Sequence, residues 1–185
     1  VRLIYDDFGS KHIRKNIARE LSKTGVDVYP FNKIKLLFFA NRLNYRNHRK
    51  IVVIDGIIAY TGGINISDKY INSKQKPLYW RDTHLRIQGA GAFALQQIFI
   101  SDWNFSSGQR LPVTGNRYFP FKEMETFGQS RLQVVSSGPD SDMPNILYAI
   151  LQAIRQAKTE ILLTTPYYIP DESLQQSLVM AALSG

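Results

Sequence analysis

The sequence predicts an α/β protein with a mixed, mostly parallel sheet flanked by helices. Two observations carry this prediction. Residues 1–31 read as a strand, a helix and a second strand, which is the pattern of a parallel βαβ unit. Residues 47–65 contain two apolar runs separated by Asp-Gly, which is a strong signal for a hairpin with a two-residue turn.

The first three elements follow directly from composition and spacing. Residues 1–5 and 26–31 are short runs rich in β-branched and aromatic side chains, as is typical of strands. Between them, residues 11–23 place apolar side chains at helical spacing after Ser10, and Gly25 supplies the stop signal. We therefore expect a helix that crosses over between two parallel strands.

A second group of elements is predicted after the hairpin. Helices are identified here by apolar residues at helical spacing, and strands by alternation or by short apolar runs. Gly and Pro mark the loops between them. In chain order, the predictions are a strand over 80–87, a helix over 92–103, a loop over 106–128, a strand over 132–135, a helix ending at about 157, a strand over 160–165 and a helix over 171–183.

The net charge of +8 is concentrated at the beginning of the 185-residue chain. Residues 1–50 contain twelve Lys/Arg and four Asp/Glu, whereas the remaining 135 residues contain eleven of each. Over 11–23 the charges read as a solvated helix face, but over 33–50 they alternate with apolar and aromatic side chains. This second pattern suits an anionic interface, which could be a lipid surface, a nucleic-acid backbone or a small phosphate.

Several classes of protein are excluded by what the sequence lacks. There is no cysteine, so disulfides and thiolate-bound metals are excluded. No uninterrupted apolar run approaches the roughly 20 residues of a membrane-spanning helix, and the first residues lack a signal-peptide pattern. We expect the chain as given to be soluble or surface-bound. Because it begins at a strand and stops at a helix-ending glycine, we also expect it to be a piece of a longer protein.

The predicted turn at 55–56 sets the register of the hairpin. Ile54 would pair with Ile57, and each later pair keeps a constant sum of residue numbers. His48 would then lie opposite Gly63, which has no side chain to fill the space between the strands.

Several reactive side chains would converge above that glycine. Side chains alternate between the two faces along a strand, which places His48 and Lys50 on one face with Thr61, Gly63 and Asn65. A neutral imidazole can hold a phosphoryl group covalently, and an ammonium and a carboxamide can hydrogen-bond the phosphoryl oxygens. The hairpin therefore predicts a phosphate-sized site with a nucleophile beside it.

The motif has a known counterpart. His48, Lys50 and Asp55, followed by Gly-Gly-Ile-Asn at 62–65, resemble the HKD signature of the phospholipase D superfamily. The resemblance implies the phospholipase D-like fold and covers nearly the whole chain. Within the superfamily, the segments similar in order and spacing to the bacterial cardiolipin synthases are 44–50, 62–70, 80–84, 137–140 and 164–172.

The resemblance implies a reaction and a set of roles. Two phosphatidylglycerol molecules would give cardiolipin and glycerol through a phosphatidyl-histidine, with no metal or other cofactor. His48 would be the nucleophile or its acid/base counterpart, and Asp82 would hold the other imidazole nitrogen, fixing its tautomer. Asp55 belongs to the signature, yet its place in the turn predicts a structural role. The assignments are catalytic for His48, Lys50, Asp55 and Asp82, and substrate-binding for Asn65, Gly63 and Arg46.

One departure from the resemblance is serious. Proteins of this type contain two HKD motifs in an internal repeat, whereas neither His12 nor His84 begins a second one. The resemblance places the second motif beyond the last residue and membrane-anchoring helices before the first, in a protein of the bacterial cytoplasmic membrane. Residues 1–130 would form the first repeat and 131–185 the start of the second. We therefore expect an incomplete site unless two copies pair their His48 residues across a twofold axis.

Four alternatives stay open at this point. The hairpin does not encode the acceptor, so a phospholipase D hydrolase or a phosphatidylserine-type synthase would carry the same site. The apolar strip at 34–40 favours a lipid over a nucleic acid, while salt-sensitive DNA binding would support a nuclease. An activity that survives His48→Ala would support a non-catalytic membrane-surface module.

Overall fold

The structure is a computed structural model, and it describes residues 1–10, 16–31, 46–73, 79–121, 129–138 and 141–184. The chain forms two compact units, Val1–Val134 and Val135–Gly185. The strands are β1 (Arg2–Asp6), β2 (Asp27–Phe31), β3 (Ile51–Ile54), β4 (Ile58–Gly62) and β5 (His84–Gln88), and the α-helices are α1 (Ile17–Lys23), α2 (Ala90–Ser107), α3 (Asn145–Gln156) and α4 (Glu172–Leu183).

The predicted βαβ unit is confirmed. Strands β1 and β2 pair in parallel, with Ile4 opposite Tyr29, and α1 connects them. Gly25 has a φ of 84° just beyond the end of α1, a conformation that favours glycine. The predicted start of this helix, at 11–15, lies outside the described residues, as does the basic and apolar strip at 34–40.

The hairpin has the predicted turn but not the predicted register. Asp55 is left-handed with a φ of 52°, and the Ile57 amide donates to the Ile54 carbonyl at 3.1 Å. Ile54 nevertheless pairs with Ile58, because Ile57 is an extra residue whose carbonyl accepts a bond from the Gly89 amide at 3.1 Å. A bulge of this kind shifts the pairing by one residue. The predicted pairing of Ile54 with Ile57 is therefore wrong.

The α/β class is confirmed, and the strand pairing is mixed. Strands β3, β4 and β5 form an antiparallel sheet, separate from the parallel pair β1 and β2. Parallel pairing does not predominate among the described strands, because a two-residue turn can join only antiparallel neighbours and β5 returns alongside β4.

Helix α2 is the element that organises the first unit. It packs against both sheets. At its start, Ala92 and Leu95 join Ala59 of β4 in a buried cluster. Near its end, Trp103 is fully buried and meets the Tyr29 ring edge-on, with 5.1 Å between ring centroids. Side chains partly buried against the cluster are Ile51, Val53, Ile87, Ile98 and Val134.

The second unit contains two helices that pack against each other, α3 and α4. The strands predicted over 132–135 and 160–165 are wrong, since neither segment forms a strand. An apolar run indicates burial or pairing, but a strand also needs a neighbour to pair with, and Leu162 remains 84% exposed.

Among the helices of the described residues, none has both the length and the apolar character needed to cross a bilayer.

A pH effect is expected at the start of α4. Asp171 caps this helix by accepting from the Leu174 amide and the Ser173 hydroxyl, each at 2.8 Å, and these bonds hold the pKa of its carboxyl below the ordinary value. A lowered pKa means that the ionised form stabilises the helix above the unfolded-state pKa and that this contribution is lost as the pH falls below about 4. Far-UV circular dichroism should show helix loss in that range.

Asp171→Asn provides the matched test of this expectation. Asparagine also caps helices but does not titrate, so the acid-induced helix loss should shrink in this variant. Asp142→Asn, at an exposed aspartate in the same unit, should leave it unchanged. Equal acid transitions in both variants would contradict the assignment to Asp171.

Candidate active site

The segment that carries His48 is irregular backbone, and its first part is held by Asp6. Asp6 ends β1, and its Oδ2 accepts from the Asn47 amide at 3.1 Å. Its Oδ1 lies 3.4 Å from Nη2 of Arg46 and accepts from the Gly9 amide at 2.5 Å. A carboxylate at the end of a parallel strand therefore ties this segment to the strand pair.

The second anchor of the segment is Asp102, on α2. Its Oδ2 accepts from Nδ2 of Asn47 at 3.0 Å, and Nη1 of Arg49 lies 2.7 Å from its Oδ1. The Asn47 side-chain oxygen also accepts from the Arg49 amide at 2.9 Å. The residues on either side of His48 are thus tied to one helix.

His48 is exposed, and Lys50 lies beside it. The Lys50 ammonium donates to the backbone carbonyl of His48 at 2.7 Å. The ammonium charge is therefore close to the imidazole's own backbone, where it can attract an anionic phosphoryl group.

The glycines that follow β4 allow a close approach to the segment before β5. A side chain at Gly62, whose φ is 153°, would collide with the backbone of Thr83 and His84, and one at Gly63 would collide with the carboxylate of Asp82. The Gly63 amide donates to the Thr83 carbonyl at 3.0 Å, and Oδ1 of Asp82 accepts from the Thr83 amide at 2.7 Å. The structure thus brings Gly63 and Asp82 together.

The change of register alters which face the predicted residues share. Thr61 pairs with Ile51, whose side chain packs on the buried cluster, so Thr61 lies on the face of the sheet that covers the core, whereas His48 and Lys50 precede β3 and belong to no strand. The prediction that Thr61 shares a face with His48 and Lys50 is wrong. Asn65 lies beyond β4, and its amide donates to the Tyr70 hydroxyl at 2.9 Å.

The expected hydrogen bond between His48 and Asp82 is not formed within the part of the chain that the structure describes. Asp82 instead accepts from the neighbouring Thr83 amide. His84 is the first residue of β5, and its Nδ1 is buried without a hydrogen-bond partner among the described residues. The roles assigned to His48, Lys50, Asp55 and Asp82 remain predictions.

Sequence reasoning missed the two anchoring carboxylates. The sequence did contain an indication for Asp6, because ligand-binding and positioning groups in parallel sheets commonly follow the carboxyl ends of strands. Asp102 had a weaker one, since it interrupts an apolar helix directly before Trp103. No pattern of spacing connects either residue with the HKD motif.

An exposed aromatic cluster lies beyond Gly63. The Lys69 ammonium lies 4.6 Å from the centroid of the Trp80 ring and 5.0 Å from that of Tyr70. The side chain of Asn72 fixes the backbone of Trp80 with two hydrogen bonds of 2.7 and 2.8 Å.

No cluster of three or more His, Asp or Glu in the described ranges could hold a metal ion.

The two glycines should respond differently to substitution. Gly62→Ala should destabilise the first unit by about 1–3 kcal/mol, because its φ is unfavourable for alanine and the obstructing atoms include backbone atoms of Thr83 and His84. Gly63→Ala should cost less, since the Asp82 side chain can rotate away. Urea denaturation of both variants measures the difference.

The double variant Gly63→Ala/Asp82→Ala serves as the control for this comparison. It removes the obstructing carboxylate and should recover most of the stability that Gly63→Ala loses. If Gly63→Ala costs as much as Gly62→Ala, or if the double variant recovers nothing, the contact between Gly63 and Asp82 is not as described.

The α/β fold and the HKD residues correspond to the class predicted from the sequence, the phospholipase D-like proteins. Comparison with known proteins confirms the resemblance to the bacterial cardiolipin synthases within that class. The chain is 45% identical over 188 residues to the cardiolipin synthase of Listeria monocytogenes serotype 4a (strain HCC23) and 46% identical over 188 residues to that of Listeria welshimeri. It is 44% identical over 185 residues to cardiolipin synthase 2 of Staphylococcus epidermidis (strain ATCC 12228 / FDA PCI 1200).

These alignments cover the whole of this chain but only part of the relatives. The chain spans 38% of the length of each of the three. No protein-family model matches the chain. No solved structure matches it.

Proposed function

We propose that this chain supplies one HKD motif to a phosphatidyltransferase that makes cardiolipin from two phosphatidylglycerol molecules and releases glycerol. The observation that carries the proposal is 45% identity, along the entire chain, to proteins named cardiolipin synthase. The side chains that this chemistry needs are present, with an exposed imidazole at His48 and an ammonium beside it at Lys50.

The reaction proceeds in two displacements at phosphorus. The His48 imidazole attacks phosphatidylglycerol, forming a phosphorus–nitrogen bond and breaking the phosphorus–oxygen bond to the terminal glycerol, which leaves with a proton from a general acid. A hydroxyl of the second phosphatidylglycerol then attacks, loses its proton to the same group and releases the imidazole. Lys50, Asn65 and Arg46 stabilise the charge on the phosphoryl oxygens, and Asp82 orients the imidazole.

The general acid belongs to a second HKD motif that these 185 residues do not contain. It comes either from further residues of the same protein or from a second copy that pairs its His48 with the first. Residues 1–130 then belong to the first repeat and 131–185 to the start of the second. The boundary between the two compact units, after Val134, supports this division.

An anionic membrane surface is the partner that fits the surroundings of the motif. The net charge is +8, and the aromatic cluster is accompanied by exposed apolar side chains, including Ile66, which is 95% exposed, Ile71 and Tyr79. Trp and Tyr with a nearby cation are typical of groups at a membrane interface. The full-length protein would therefore act at the bacterial cytoplasmic membrane.

The proposal is tested with a chimaera in which this chain replaces the matching segment of the Listeria monocytogenes cardiolipin synthase. The chimaera and the isolated chain are incubated with phosphatidylglycerol in detergent, and products are identified by mass spectrometry. We expect cardiolipin and glycerol from the chimaera. Product from the isolated chain should rise faster than linearly with protein concentration if copies pair.

Two outcomes would contradict the transferase. Phosphatidic acid in place of cardiolipin would show that water is the acceptor and that the protein is a hydrolase. A chimaera that forms no product, although it is folded and the parent enzyme is active, would show that this chain cannot supply the motif.

A further inference from the structure

The two residues that flank His48 are bonded to the same carboxylate on α2. Asp102 accepts from the Asn47 carboxamide at 3.0 Å and from Nη1 of Arg49 at 2.7 and 3.0 Å to its two oxygens. These partners are 55 and 53 positions away in the sequence, so the contacts are tertiary. We propose that Asp102 is a positioning residue for His48, an inference that rests on the function proposed above for that imidazole.

The contacts restrict His48 from both sides. Asn47 and Arg49 are fixed to the helix and also to each other, through the 2.9 Å bond from the Arg49 amide to the Asn47 side chain. The carbonyl of His48 is occupied by the Lys50 ammonium at 2.7 Å. Because the backbone is held before, at and after His48, the imidazole can move only by rotation about its own side-chain bonds, between staggered rotamers.

Asp102 is suited to be the fixed partner in this arrangement. Its side chain is 14% exposed, and the next residue, Trp103, is fully buried between α2 and the parallel strands. A charged hydrogen bond at a partly buried site is worth more than one between two mobile surface side chains. The carboxylate is therefore held still relative to the core, and the His48 segment is held relative to it.

Asp102 and the other anchor, Asp6, differ in which side of His48 they bond to. Residues 46–50 belong to no helix or strand, so no backbone ladder defines their geometry. Asp6 bonds to Arg46 and to the Asn47 amide, which lie on one side of His48 only. Asp102 alone, of these two carboxylates, bonds on both sides, and a misplacement of about 1 Å at a reacting group can lower a rate by about 100-fold.

The test uses Asp102→Asn, Arg49→Gln and the double variant, with Ser101→Ala, an exposed neighbour on the same helix, as the control. In the isolated chain, the backbone order parameter at His48 from nitrogen-15 relaxation should fall from about 0.85 toward 0.6 in Asp102→Asn. In the chimaera, kcat should fall about 10- to 100-fold, while KM changes less than about twofold.

The double variant separates positioning from a general loss of stability. If Asp102 acts through Arg49, the double variant should be no slower than the slower single variant. An unchanged order parameter at His48, a kcat no lower than that of Ser101→Ala, or a loss that only follows the folded fraction measured by circular dichroism would overturn the inference. A wild-type chimaera without turnover would refute the proposed function instead, and the order parameter in the isolated chain would still decide the role of Asp102.

Discussion

His48→Ala should reduce cardiolipin formation by the chimaera by at least about 1,000-fold. Without the covalent nucleophile, only substrate binding and charge stabilisation remain. The groups that assist the nucleophile then contribute little to the rate, because they act as a unit with it. His48 is exposed, so its removal should leave the fold unchanged. Product formation is measured by mass spectrometry at matched protein concentrations, and folding is checked by circular dichroism.

The expected intermediate offers a second measurement of the same prediction. After a brief incubation with phosphatidylglycerol, the chimaera with His48 intact should carry an acid-labile phosphatidyl group on the peptide that contains His48. The His48→Ala chimaera should not carry this group. His12→Ala is the control, because His12 lies outside the motif, and it should retain both activity and label. Activity that persists in His48→Ala would favour the non-catalytic module.

Local signals in the sequence were sufficient for most of the first unit. The helical spacing of α2 reflects burial of one face of that helix, and Gly25 after α1 reflects the positive φ that ends a helix. The turn is equally local, since Asp55 and Gly56 both adopt positive φ, at 52° and 73°. Elements of this kind can be predicted because their residues and their cause lie together in the chain.

The register of the hairpin could not be predicted in the same way. It depends on Ile57, whose carbonyl accepts a hydrogen bond from the amide of Gly89, 32 residues later in the chain. The anchors of His48 are also non-local, since Asp6 belongs to β1 and Asp102 to α2. A sequence pattern predicts which residues are candidates for the reaction, but not the tertiary contacts that surround them.

Trp103→Ala should be the most destabilising single substitution that we propose in the first unit, at about 3–5 kcal/mol. The indole is fully buried, stacks on Phe99 at 6.1 Å and lies under the guanidinium of Arg2 at 5.6 Å. Its Nε1 also donates to Gln109 at 3.0 Å, so removal leaves a cavity and breaks this hydrogen bond. Urea denaturation, followed by the fluorescence of the remaining Trp80, measures the loss.

Phe105→Ala is the matched control, because it removes a large ring from the same helix at a site that is 67% exposed. It should cost less than about 1.5 kcal/mol, the scale of one aromatic contact, here with Phe31. Similar losses in the two variants would contradict the placement of Trp103 in the core.

The two substitutions also differ in what they should do to the candidate site. Trp103 follows Asp102 directly, so a cavity at Trp103 loosens the part of α2 that fixes the segment around His48. In Trp103→Ala, at denaturant concentrations where the chain is still folded, the order parameter at His48 should fall as it does in Asp102→Asn, whereas Phe105→Ala should leave it unchanged. A rigid His48 in folded Trp103→Ala would mean that the anchor does not depend on the core beneath it.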